Sequence, residues 1–180
     1  MEIDAWINDI KYVSEEVRKL SAELSAESLN WQPGPDQWSI AQVLEHLMVV
    51  NKSYHEIPVE IKNNTYKKPL LGRINWIVNL FGKLILQSVQ PEESRKSQTF
   101  PIWKPTHSDY PITIVDQFFT SQNSLIEWIN EHKDLIEKNP VVSSPANRNI
   151  VYRFNTLIEI IVSHEKRHLQ QINRVFAALP

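Results

Sequence analysis

The sequence contains no cysteine. Disulfides, Cys-ligated zinc or iron–sulfur sites and a cysteine nucleophile are thereby excluded. Glycine is almost missing as well. Gly34, Gly72 and Gly82 are the only three, and no two stand close enough to form a phosphate-cradling loop, so Rossmann and P-loop nucleotide binding are excluded. There is no excess of basic charge: 19 Lys and Arg against 21 Asp and Glu give a formal net charge of −2, and no nucleic-acid partner is expected. Long apolar runs are lacking too. The most apolar stretch, Leu70 to Leu86, is interrupted by Arg73, Asn75, Asn79 and Lys83 and is too short to span a bilayer. Met1 to Asp9 shows no basic start followed by an apolar run, so no signal peptide is expected. With zero cysteine, the cytoplasm is the expected compartment.

What is present is an ordinary globular composition, 42% hydrophobic and 22% charged over 180 residues, enough for a single domain over 1–180 with one continuous core. Four long amphipathic helices are predicted from apolar residues spaced three and four apart. The first carries Ile3, Trp6, Ile7, Ile10, Val13, Val17, Leu20 and Leu24, and ends before the Pro33-Gly34-Pro35-Asp36 turn. The second opens at Ser39, with Gln42 completing a capping box, and continues through Val43, Leu47, Val50 and Tyr54 toward Pro58. The third begins at Thr113, with Asp116 in the matching box position, and runs through Phe118, Leu125 and Ile129. The fourth spans about Asn155 to Leu179. A long connection from Lys62 to Ile112 holds a shorter helix over Leu71–Gln87 and is otherwise loop punctuated by Pro91, Pro101, Pro105 and Pro111. No segment alternates with period two, so no sheet is predicted. The fold class is all-α: a four-helix bundle with a long crossover between helices 2 and 3 that carries an extra short helix.

Of the six histidines, His164 and His168 are spaced so that both rings fall on one helix face, a turn apart. Ile161, His164, His168, Ile172 and Val175 form one stripe, and His46 sits with Val43, Leu47 and Val50 on the inner edge of the second helix. Three inward imidazoles in an apolar bundle need a common partner, and a divalent ion on three protein ligands with an open fourth position is the arrangement of catalytic zinc. The competing reading is three hydrogen-bonded core histidines. His55, His107 and His132 are not expected to join them.

The segment also reads His164-Glu165-x-x-His168, the zinc-protease helix pattern in which the Glu is a general base. The twelve residues after His168 contain no His, Asp or Glu to serve as a third ligand, which argues against a protease. Glu165 remains a candidate catalytic base beside a metal; the alternative is a solvated charge next to Lys166 and Arg167. Gln42 and Gln171 are candidates to line the pocket, or are amides that only support it.

Trp38-Ser39-Ile40-Ala41-Gln42-Val43-Leu44-Glu45-His46-Leu47 resembles the second-helix signature of the DinB-like superfamily, including its YfiT-like members. His164-Glu165-Lys166-Arg167-His168-Leu169-Gln170-Gln171-Ile172 resembles its last-helix signature, and Leu29-Asn30-Trp31-Gln32-Pro33 fits as well. The segment between Lys62 and Ile112 departs from the family pattern. The resemblance implies a four-helix bundle, commonly a homodimer, with one divalent metal ion per chain, zinc or nickel, on His46, His164 and His168. Some members are thiol-dependent transferases that join a small-molecule thiol to an electrophilic substrate, and others are metal-dependent hydrolases.

Three functional readings follow. The first is a metal enzyme activating a small-molecule thiol or water. With no cysteine in the chain, a sulfur nucleophile has to come from a cosubstrate. The second is a metal- or ligand-binding bundle without turnover. The third is a helical interaction protein, because the Leu70–Leu86 helix carries Trp76, Leu80 and Leu86 outside its main stripe, which suits a dimer interface. Membrane-surface contact through Lys67, Lys68, Arg73 and Lys83 ranks below it. Trp103 and Trp128 are read as core packing.

Overall fold

In the computed structural model, residues 2–91 and 98–180 are described; residues 92–97 of the expected crossover loop lie outside them. Eight helices and one hairpin follow in order: α1 (Glu2–Ser21), α2 (Ala26–Asn30), α3 (Ile40–Ser53), α4 (Glu56–Lys62), α5 (Asn75–Ser88), α6 (Ile114–Glu131), α7 (Lys133–Lys138), β1 (Val141–Ser143), β2 (Val151–Arg153) and α8 (Phe154–Ala177). Short 3-10 turns lie at Leu70–Arg73 and Pro101–Trp103. Helix α1 packs on α8 and α6, and α3 packs on the same two. None of the helices is long and apolar enough to cross a membrane among the described residues.

The long helices fall where the apolar stripes place them, and their ends show why. Ser39 accepts the Gln42 N–H and the Gln42 side chain takes the Ser39 N–H, so the expected capping box closes the start of α3. The box expected at Thr113 does not form. Thr113 has φ −63° and ψ −11°, already helical, whereas a capping hydroxyl needs an extended backbone to reach the N3 amide. Pro58 is the third residue of α4, where a missing N–H breaks no intrahelical bond.

The prediction of no sheet is overturned. β1 and β2 pair antiparallel, Val142 opposite Tyr152. Each strand is three residues long, and all of Val141–Ser143 is buried, so no alternation exists for a period-two reading to detect. Helix α5 packs on β2 and α8. Gly82 allows the close approach: a Cβ there would stand 3.3 Å from Thr156 Cγ2 and 3.5 Å from Tyr152 Cβ.

The core holds two large apolar clusters with a polar layer between them, and a smaller one of Val78, Val141 and Val151 under α5. One large cluster holds Trp6 and Ile10 of α1, Val50 of α3 and Tyr54 just after it, Leu125 and Trp128 of α6, and Leu157, Ile158 and Ile161 of α8. The other holds Val13 and Val17, then Leu44 and Leu47, then Val115 and Phe118, then Leu169 and Ile172, from the same four helices. At the junction each of three helices carries buried or half-buried polar residues: His46 and Asn51 on α3, Gln122 on α6, and His164, Glu165 and His168 on α8.

Candidate metal centre

The three expected histidines converge. His46 from α3 is buried, while His164 and His168 from α8 are half-buried. His164 Nε2 lies 3.2 Å from His46 Nε2 and 3.0 Å from His168 Nε2. No carboxylate joins the group among the described residues. Trp38 flanks it, its ring 4.9 Å from that of His46 and stacked at 6.3 Å on His168.

The tautomers follow from the outer partners. His46 Nδ1 is 2.7 Å from the Trp103 carbonyl, which only accepts, so that nitrogen carries the hydrogen. His168 Nδ1 faces Gln171 Oε1 at 2.9 Å, with the same result. Both Nε2 atoms of the neutral rings therefore point lone pairs at His164 Nε2. A single hydrogen on that atom can satisfy one of them; a cation can satisfy all three. Ligand nitrogens at about 2.1 Å from one ion stand about 3.0–3.4 Å apart for angles between 90° and tetrahedral, which the two separations from His164 match.

Protonating the rings is not an alternative. Burial lowers the pKa of His46 against a smaller upward pull from the Trp103 carbonyl. Burial, then the neighbouring His168 and His46, hold His164 well below the usual range, and burial, then His46, bring His168 to about 3. Neutral imidazole is the ligating form. The residues present fit a divalent ion.

A strap from the end of the crossover walls the site. Trp103 gives its carbonyl to His46 and donates its indole N–H to Ser53 Oγ at 3.1 Å. Three residues on, Thr106 donates from N to Glu45 Oε2 at 2.9 Å and from Oγ1 to Glu45 Oε1 at 2.7 Å. Tyr110 OH also donates to Glu45 Oε2, and Gln42 Nε2 donates to the His107 carbonyl at 3.1 Å. Burial pushes the Glu45 carboxyl up, but the Tyr110 and Thr106 hydrogen bonds outweigh it and the net pKa is lowered; burial and the same carboxylate raise Tyr110 to about 12. Glu45 thus latches the segment that supplies the His46 acceptor. Because outer partners of metal ligands tune affinity by one to two decades, Glu45→Ala is expected to weaken metal binding about ten-fold in competition with a chromophoric chelator. An unchanged affinity would show that the strap holds without it.

Glu165 departs from one of its two sequence readings. It is not a solvated charge: it is fully buried. Nor does it join the metal cluster. Its Oε1 accepts from Asn51 Nδ2 at 2.7 Å and from Gln122 Nε2 at 2.8 Å, between α3 and α6. Burial raises its pKa to about 7 against the pull of those two amides. Gln171 supports His168, and Gln42 serves the helix cap and the strap. The other histidines lie elsewhere. His55 stacks on Trp128, His132 is hydrogen-bonded to the Trp128 carbonyl, and His107 packs edge-on against Tyr110. Trp103, Trp38, Glu45 and Tyr110 were missed as site residues; a backbone carbonyl has no sequence signal, while Glu45 beside His46 on the helix had one.

The family model of the DinB superfamily matches residues 10–172. That match spans the strap, the Glu45 latch and all three histidines, and the chain belongs to the DinB superfamily. No curated protein and no solved structure matches it.

Proposed function

We propose that this protein is a metal-dependent enzyme built on a four-helix bundle of α1, α3, α6 and α8, working in the cytoplasm with one zinc or nickel ion per chain on His46, His164 and His168. The observation that carries this reading is the convergence of three neutral imidazoles, His164 Nε2 standing 3.2 Å from that of His46 and 3.0 Å from that of His168, with no carboxylate joining them among the described residues. Imidazole donors suit zinc and nickel. His46, His164 and His168 would hold a divalent ion as neutral ligands, and the ion would supply Lewis acidity that lowers the pKa of a small-molecule thiol or of water toward neutrality.

Between these two, the thiol is favoured. A hydrolase of the His-Glu-x-x-His type needs its Glu at the reacting water, and Glu165 is engaged by Asn51 and Gln122 instead. The substrates are then a small-molecule thiol and an electrophile, and the reaction an S-transfer. The test is a screen of thiol–electrophile pairs with fully metallated protein. Conjugation that disappears in His168→Ala and returns to chelated wild type on adding metal is the expected outcome. No turnover with thiol or water would leave a non-catalytic metal-binding bundle as the better reading.

A homodimer belongs to the same proposal. Helix α5 turns Trp76 (67% exposed), Leu80 (45%) and Leu84 (49%) outward at four-residue spacing, an apolar stripe that a second copy would cover. Sedimentation is expected to give twice the 21.1 kDa chain mass, and Leu80→Glu a folded monomer with an unchanged circular dichroism spectrum. A monomeric wild type at micromolar concentration would end this part of the reading.

A further inference from the structure

We propose a second binding site, for a small organic anion, in the cleft between the end of α4, the end of α7 and the β1–β2 hairpin. The cleft has a volume of about 400 Å³, in the range of small-molecule sites, and the elements that form it are not those that carry the three histidines. Lys68, Lys138 and Arg153 line it, and no Asp or Glu does among the described residues. That is a concentration of charge in a chain whose net charge is −2. It continues along the sequence: residues 61–91 contain Lys62, Lys67, Lys68, Arg73 and Lys83 and not one carboxylate.

Arg153 is the centre of the site. It is half-buried at the end of β2. Its Nη1 reaches the Asn139 carbonyl at 3.4 Å and its Nη2 reaches Asn75 Oδ1 at 3.3 Å. Both contacts are long, both partners are neutral, and no carboxylate pairs with it among the described residues. A guanidinium has five donors in a planar fork suited to a carboxylate or phosphate, and here the fork is oriented with its charge unpaired. Lys68 has no ion-pair partner among the described residues, and Lys138 stands 3.6 Å from Asp134, an exposed contact that contributes little.

Two further observations belong to this cleft. The two non-glycine residues with left-handed backbone among the described residues, Asn64 (φ 57°) and Asn139 (φ 45°), both line it. Asparagine tolerates that conformation when a chain must reverse sharply, and these reversals bring the segments bearing Lys68 and Lys138 to one opening. The wall is apolar. The Tyr66 hydroxyl is taken up by Ser143, at 2.8 Å from its N and 3.1 Å from its Oγ, and Ile61 and Val141 complete the surface. A cationic rim over an apolar wall selects an anion with an apolar body, a phosphomonoester or an organic carboxylate, over a bare inorganic ion.

The probes are phenyl phosphate, benzoate, inorganic phosphate and phenol, titrated at constant ionic strength by calorimetry into the His168→Ala variant, so that the metal centre does not compete for them. Phenyl phosphate or benzoate is expected to bind saturably and more tightly than inorganic phosphate, and phenol not to bind; the ratio of the first two separates a phosphate from a carboxylate preference. Lys68→Gln and Arg153→Gln are each expected to weaken binding about ten-fold, the loss of one charge-assisted hydrogen bond, and Arg148→Gln, outside the cleft, to stay within about two-fold. If Arg153→Gln fails to fold, the Lys68→Gln/Lys138→Gln double variant replaces it. Any other pattern, including absence of saturable binding or equal losses in all charge variants, overturns the proposal and leaves a solvated cationic surface.

Discussion

His46→Ala, His164→Ala and His168→Ala are each expected to lose nearly all bound metal, while His55→Ala, His107→Ala and His132→Ala keep one equivalent per chain by elemental analysis. The first three remove one of three converging nitrogens, and no carboxylate stands beside them among the described residues to take its place. Two imidazoles in a site that is otherwise apolar hold an ion far more weakly than three. The pH dependence has a definite direction. All three rings have their pKa values lowered by burial, so the neutral, ligating forms persist below the ordinary histidine range and metal is retained on mild acidification. The same shifts act on the metal-free protein. The unfolded chain protonates these rings near 6.5 and the folded chain does not, so their contribution to stability is present above that pH and is lost as the pH falls beneath it. Retention of a full metal complement in His46→Ala would show that the site is assigned wrongly.

Glu165→Ala and Glu165→Gln are expected to differ sharply from one another. The alanine removes the acceptor shared by Asn51 and Gln122 and leaves two amide donors and a void in the core. The cost is about 3 kcal/mol, a fall in Tm of about 6–12 °C for a chain of this size. The glutamine keeps a carbonyl oxygen at the Oε1 position, where both amides donate. Stability close to wild type, an unchanged metal content and little change in thiol transfer are expected, measured by thermal melting, elemental analysis and turnover. A large loss of activity in a stable, fully metallated Glu165→Gln protein would instead make the carboxylate a water-activating base and favour hydrolysis.

The difference between these variants marks where the sequence was legible. The long helices could be read because their apolar residues recur every three or four positions, and the triad because His164 and His168 share a face with Ile161 and Ile172. Glu165 was misread for a physical reason. It stands four residues after Ile161 and four before Leu169, both buried, so its position belongs to the core stripe; its charge and its neighbours Lys166 and Arg167 suggested solvent. The hairpin was too short to show a period. The strap was invisible for a different reason. What binds His46 is the carbonyl of Trp103, 57 residues away, and every residue has a carbonyl.

The polar layer between the two apolar clusters also decides how the helices are aligned lengthwise. Apolar stripes on α3, α6 and α8 would tolerate a slide of one helical turn, exchanging one leucine or isoleucine for another at little cost. The layer does not tolerate it. A slide of α8 by four residues would set Ile161 or Leu169 against the amides of Asn51 and Gln122, and would carry Glu165 into the apolar clusters on either side. Each misplaced buried polar group costs about 1–3 kcal/mol, so the slipped alignments are raised by several such increments together. Three histidines, a glutamate and two amides thus fix a single phase for the helices, in the way one buried asparagine fixes the register of a coiled coil, before any ion is bound.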